Sequence, residues 1–200
     1  MVLGKQAKVL TPAQLRVLTL HLAQSAHPAR NRVLVELSFH QGLRAVEMGG
    51  LRWGMLLDAE GQLGDAIALP SIASKGRSSG RVLPLHPDAR HALQTLLDRV
   101  GGMPPATSPV LVFATGSTDK TTRSATIQYL FRSWFRQLGF EGCSSHSGRR
   151  FFITHCAKNV SKVGGTLRDV QMLAGHASLS MTQRYIDLDP DASRKLVALL

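Results

Sequence analysis

Apolar positions recur at helical spacing through most of the chain. Leu15, Leu18 and Leu22 stand three and four residues apart, just after Thr11-Pro12-Ala13-Gln14. That opening predicts a helix start. The Thr11 hydroxyl can accept from a free backbone N–H, Pro12 suits the first helical position, and Gln14 stands where a reciprocal cap belongs. A second helix is expected over residues 29–40, with Val33, Leu34 and Leu37 facing inward and Gly42 as its stop. Residues 45–51 read as a short helix, which places Arg44 at its entrance. Residues 88–100 carry Leu93, Leu96, Leu97 and Val100 on one face. The clearest helix runs over 121–138, where Ile127, Leu130, Phe131, Trp134, Phe135 and Leu138 keep the 3.6-residue period and Gly139 follows. That spacing assigns these aromatics to the core rather than to a base-stacking platform. Residues 147–159, 166–173, 180–185 and 191–200 are further helical segments.

The period changes once. Ala66-Ile67-Ala68-Leu69 and Arg81-Val82-Leu83-Pro84-Leu85 read as short strands around the polar, turn-rich Lys75-Gly76-Arg77-Ser78-Ser79-Gly80. A β-hairpin follows, with Lys75 near its tip. Pro84 cannot donate to a ladder, so its strand lies at an edge or ends there. The fold class is α+β, mostly helical, with a small antiparallel sheet. No internal repeat or low-complexity tract interrupts it. The 200 residues suit one domain around one core.

Charge narrows the function. Lys and Arg number 24 against 13 Asp and Glu, a net charge of +11, in a chain of otherwise ordinary globular composition. Such a surplus favours polyanions, either nucleic acid or an anionic membrane surface. No stretch approaches the roughly 20 apolar residues of a membrane span, and the first residues show neither a long apolar run nor a cleavage-like site. The balance therefore tilts toward nucleic acid. Cys143 and Cys156 are too few for a disulfide framework and match no zinc spacing, which points to a reducing cytoplasm.

Six polar residues call for explanation: Arg44, Lys75, His146, Arg149, His176 and Tyr185. Taken singly they have ordinary readings. Arg44 is a surface arginine, Lys75 a solvated loop lysine, His146 a helix cap, and Tyr185 a packed tyrosine with a bonded hydroxyl. Their contexts differ from that. Gly42-Leu43-Arg44-Ala45-Val46-Glu47 before Leu51-Arg52-Trp53 resembles the first arginine box of the tyrosine recombinases, the phage integrase family. His146-Ser147-Gly148-Arg149 resembles its His-x-x-Arg box. Leu173-Ala174-Gly175-His176, with Tyr185 nine positions after the histidine, resembles its Leu-x-Gly-His motif and nucleophile. Ser74-Lys75-Gly76 ahead of Arg81-Val82-Leu83-Pro84-Leu85 looks like its catalytic-lysine hairpin. The elements stand in the family's order over residues 11–187. The resemblance implies the catalytic-domain fold of these DNA breaking-rejoining enzymes.

The chemistry explains why these residue types belong together. Negative charge grows on the nonbridging oxygens of a phosphodiester under attack. Two guanidinium groups can clamp them, being permanently charged and matched to phosphate geometry. The resemblance gives that role to Arg44 and Arg149. It makes Tyr185 the nucleophile of a 3′-phosphotyrosyl intermediate, with His146 and the arginine field helping the phenol lose its proton. Lys75 would protonate the 5′-oxygen leaving group, and His176 would hydrogen-bond a phosphate oxygen. Glu47 would orient a neighbouring basic group, Gly175 would form a tight turn that aims His176, and Thr182 and Arg184 are candidate contacts to DNA backbone. The covalent bond conserves the energy of the broken linkage, so neither ATP nor a metal or other cofactor is expected. No phosphate-binding loop or carboxylate cluster occurs in the sequence, and His86, His91 and His155 read as surface or packing residues.

The implied activity is site-specific recombination of double-stranded DNA. A homotetramer on synapsed DNA is the family's expected assembly, and no membrane partner is expected. The alternatives are a type IB topoisomerase, which uses similar chemistry without synapsis, and a non-catalytic DNA-binding regulator on the same fold. Family members usually carry an N-terminal helical clamp domain. The catalytic pattern here begins at Thr11, so residues 1–200 are expected to be a single catalytic domain without that clamp. Gly148, Arg150 and Ala174 are smaller departures from the family pattern. Residues 188–200 end in Leu196, Val197, Leu199 and Leu200, an apolar tail expected to pack either on a neighbouring subunit or on its own core.

Overall fold

The computed structural model describes residues 7–70, 80–113 and 119–185. Helix α1 (Pro12–Ala23) starts as its sequence predicts. Thr11 Oγ1 accepts from Gln14 N, and Gln14 Oε1 accepts from Thr11 N at 2.9 Å. Its Leu18 and Leu22 are buried against α2 (Pro28–Phe39). Helix α2 is buried well beyond the expected stripe. Val33, Leu34, Val35, Leu37 and Phe39 are all nearly inaccessible, because α1, α4 (Pro87–Val100) and α6 (Ser147–Asn159) pack around it.

Helix α3 (Ala45–Gly50) lies on α5 (Lys120–Gln137), whose Ile127, Phe131, Trp134 and Phe135 fill the core as the periodicity predicts. Phe131 and Trp134 meet edge to face at 5.2 Å, the arrangement aromatic quadrupoles favour. Leu130 and Leu138 are only partly buried at its border. On α4, Leu93 and Leu97 are buried and Leu96 partly so, but Val100 is 58% exposed. Val100 is the last residue of the helix and projects past the core beside the Gly101 turn, so the expected face stops one turn short.

Strands β1 (Ala66–Leu69) and β2 (Arg81–Pro84) pair antiparallel, with Ile67 opposite Leu83 and Leu69 opposite Arg81. Among the described residues the sheet has two strands and no interior one, so Pro84 at the end of β2 costs that ladder nothing. Ile67, Leu69 and Leu83 point into the core, while Val82 is exposed. Lys75 lies outside the described residues, as does the segment 188–200. Helix α7 (Leu167–Ala174) packs on α6, and α8 (Leu179–Gln183) packs on α7 as the last helix of the described residues. No described helix is long and apolar enough to cross a membrane.

Candidate active site

Two corners of the fold face one another. The first is the entrance to α3. After α2 the chain turns at Gly42 and runs extended through Arg44, which takes the N-cap position. Glu47, three residues on, folds back. Its Oε2 accepts from the Arg44 backbone N–H at 2.7 Å and its Oε1 from Arg44 Nη1 at 3.1 Å. The same Oε1 accepts from Arg81 Nη1 at 2.9 Å. Burial alone would raise the Glu47 pKa, but the bonds and charges of Arg81 and Arg44 outweigh it and hold the carboxyl below its usual range. Glu47 thus orients basic groups, as expected, and one of them is an arginine the motifs did not single out.

The second corner is built by α6, α7 and the turn beyond α8. Ser144 and Ser147 cap the start of α6. Ser147 Oγ accepts from Ser144 N at 3.0 Å, and Ser144 Oγ accepts from His146 N at 3.2 Å. His146 stands at the N-cap but makes no side-chain cap bond, so its ring is not spent on capping. Desolvation, then the charges of Arg149 and Arg44, lower its pKa. His146 is exposed as a residue, so the two neighbouring charges are the firmer cause, and they favour the neutral ring, which can accept a proton.

Arg149 is 3% exposed. Its Nη1 donates to Gly42 O at 2.7 Å and its Nη2 to Ala174 O at 2.6 Å, which pins the guanidinium between α2 and α7. Burial, then the Arg44 charge, lowers its pKa to about 10, so it remains a cation at neutral pH. Gly148 lets α6 come this close to α2. A Cβ there would lie 2.1 Å from Ser38 Oγ and 2.8 Å from the Phe39 ring. The glycine that departs from the family pattern therefore has a packing cause.

Gly175 ends α7 in the left-handed conformation, φ +61°, which only glycine adopts at little cost. The turn presents His176, whose backbone exchanges two bonds with Gln171. His176 is 7% exposed, and its Nδ1 meets Thr182 Oγ1 at 3.0 Å, so its Nε2 is not used in that contact. Burial and then the charges of Arg149, Arg44 and Arg81 lower its pKa to about 4. It is a neutral hydrogen-bonding group at pH 7, not a cation. Thr182 is fully buried, so it orients His176 and does not reach DNA backbone as expected. Arg184 is exposed.

Tyr185 follows the end of α8 instead of lying within it. Its N–H donates to Thr182 O at 3.0 Å and its carbonyl accepts from Thr154 Oγ1 at 3.3 Å. The half-buried ring stacks on His176, with centroids 5.5 Å apart and planes at 24°. The Arg150 guanidinium lies 5.9 Å from the ring centre, held by its own bond to Ala7 O at 2.8 Å. The charge field of Arg149 includes both Arg44 and Tyr185. Five of the six expected residues therefore lie within one another's charge field or ring contact, and Lys75 falls outside the described residues.

The fold bears directly on the reading of these residues. Residues 8–191 match the model of the phage integrase family. The chain belongs to the phage integrase family. It is 32% identical over 162 residues to a tyrosine recombinase XerC of Pelobacter propionicus, covering 81% of this chain and 49% of that protein. It is 33% identical to a XerC of Xylella fastidiosa strain M23 over 80% of the chain and 49% of that relative. The chain thus spans about half the length of these curated relatives. Among solved structures, a XerA recombinase superposes with a TM-score of 0.69 at 23% identity, covering 97% of this chain and 65% of that one. A XerH site-specific recombinase bound to difH substrate superposes with a TM-score of 0.69 at 20% identity, covering 99% and 55%. The architecture is the tyrosine recombinase catalytic-domain fold.

Arg81 is the member of the pocket that motif reading passed over. Its signal was present in the strand alternation. Arg81 shares a face with buried Leu83, and an arginine at an inward position needs a buried carboxylate. His21, His40, His86 and His155 make structural contacts elsewhere. Among the described residues, His40, His86 and Asp88 bring possible ligand atoms within 4.8 Å of one another. The two rings stack face to face, though, with His40 Nδ1 bonded to Glu36 and His86 Nδ1 accepting from Asp88 N. In-plane lone pairs of stacked rings run side by side and do not converge on an ion.

Proposed function

We propose that this chain is the catalytic part of a site-specific DNA recombinase that cuts and rejoins double-stranded DNA through a 3′-phosphotyrosine at Tyr185. One observation carries the reading. The phenol ring of Tyr185 stacks on the buried His176, within the charge field of the buried Arg149. In this scheme a scissile phosphate enters between the two corners. Arg44 and Arg149 clamp its nonbridging oxygens, and His176 Nε2 donates to one of them. Tyr185 attacks phosphorus as His146, neutral and close to both arginines, assists removal of the phenolic proton. The P–O bond to the 5′-oxygen breaks, and Lys75 supplies the proton that oxygen takes up. Religation reverses these steps, so no metal or ATP enters.

The basic surface would hold DNA phosphates, with Arg184 among the contacts, and the enzyme would act in the cytoplasm as a homotetramer on synapsed sites. The test is covalent capture on nicked suicide duplexes, selected for binding from a randomised library, with magnesium chelated and ATP absent. Wild-type protein should give a denaturation-resistant adduct that Tyr185→Phe abolishes. Bound duplex without adduct from wild type would instead indicate a non-catalytic binder. Relaxation of supercoils without pairing of two sites would indicate a topoisomerase.

A further inference from the structure

Arg81 has no part in the scheme above, yet its side chain is 10% exposed and sits between the two corners. Its Nη1 shares Glu47 Oε1 with Arg44. Its guanidinium also lies under the Gly175 turn, where a Cβ on that glycine would stand 2.5 Å from Arg81 Nη1 and 2.9 Å from its Cζ. Among the described residues, Arg81 Nε and Nη2 are buried without a hydrogen-bond partner. Placing donors that way costs stability, so the position needs a reason beyond packing.

The charges supply one. Glu47 carries one negative charge and meets two guanidinium groups at a single oxygen. With Arg81 absent, that carboxylate would be left to Arg44 alone and would neutralise the cation meant for the phosphate. With Arg81 present, the corner keeps a surplus positive charge while Arg44 stays fixed. We propose that Arg81 is a positioning residue for strand transfer: it holds Glu47, keeps the Arg44 charge available to the scissile phosphate, and backs the turn that presents His176. This rests on the recombinase reading above.

The full-length protein tests it in single-turnover cleavage at saturating protein. The suicide duplexes carry either an ordinary phosphate or an uncharged methylphosphonate at the scissile position. On the ordinary phosphate, Arg81→Gln should slow cleavage by about 10- to 100-fold, the range seen when supporting residues around an active centre are lost, with DNA affinity little changed. Arg81→Lys should recover part of that rate. On the methylphosphonate, which lacks the charge that Arg44 must meet, the gap between wild type and Arg81→Gln should shrink to about 3-fold or less if charge is what Arg81 protects. Equal slowing on both substrates, or none on either, would overturn the proposal. If the Gln variant does not fold, the Lys variant carries the same pair of substrates, with a smaller gap that must still narrow on the neutral one. Wild type that forms no adduct on the ordinary phosphate removes the recombinase reading itself. An active wild type silenced by Tyr185→Phe keeps that reading whatever Arg81 does.

Discussion

The two corners of the pocket hold a cation in opposite ways. At the α3 entrance, Arg44 is held by a carboxylate, and its side chain is 28% exposed. At the α6 start, Arg149 is held by two carbonyl groups and is almost fully buried. A carboxylate fixes a guanidinium firmly but cancels much of its charge. Carbonyl dipoles fix the geometry and leave the full charge in place, at the cost of a buried cation without a direct ion pair among the described residues. The depressed pKa of Arg149 and that of the neighbouring His176 both record this second arrangement. A site built on both gains one rigid clamp and one strongly electrostatic one. In the proposed reaction the second should matter more as charge develops on the phosphate.

Replacing each arginine by lysine should separate the corners most clearly. Arg149→Lys keeps a charge but lacks the two fixed nitrogens, Nη1 and Nη2, that reach Gly42 O and Ala174 O. Single-turnover cleavage should fall by about 10²- to 10³-fold, the scale of losing a preorganised donor at developing charge. Arg44→Lys can still pair with Glu47, and the loss should be about 10-fold smaller. Equal losses at the two positions would break the comparison.

Most of this arrangement was legible in the sequence, and the exceptions share a cause. Helix starts, the aromatic stripe of α5 and the strand pair follow from local spacing and capping, which a single segment carries within itself. Five pocket residues came from motif context. Arg81 escaped because its partner, Glu47, is 34 positions away, and only the folded chain brings an inward-facing strand arginine to a helix-entrance carboxylate. Thr182 escaped for a similar reason. An exposed helix-surface threonine and a buried one bonded to His176 look alike until α7 and α8 are packed. Val100 failed in the other direction, since periodicity does not say where the core ends.

The corners should also separate by pH. His176 titrates near 6.5 when unfolded and near 4 when folded, so the unfolded chain takes up protons first as pH falls. Stability should therefore be full above about pH 6.5 and should decline toward pH 4. His146, lowered as well, adds to that step. Glu47 is depressed in the folded state, so its contribution is present above the ordinary carboxyl range near 4.5 and is lost only below it. In thermal melts across this range, His176→Asn should narrow the upper decline and leave the lower one. Glu47→Gln should do the reverse. A single acid transition that neither variant alters would mean the two corners are not electrostatically distinct.

The smallest expected effect concerns how the second corner aims its neutral histidine. Thr182 is fully buried, and its hydroxyl is the group bonded to His176 Nδ1. Thr182→Val keeps the branched shape and removes only that bond, so folding should survive. Without the hydroxyl the ring can adopt either tautomer and rotate more freely, and Nε2 is no longer reserved for the phosphate. The loss should be about 5-fold in cleavage rate, the equivalent of one hydrogen bond of about 1 kcal/mol. It should appear in the rate at saturating DNA and not in affinity, because Thr182 itself is out of reach of DNA. If affinity falls instead and the rate does not, the threonine acts on the DNA surface, and the bond to His176 is incidental to catalysis.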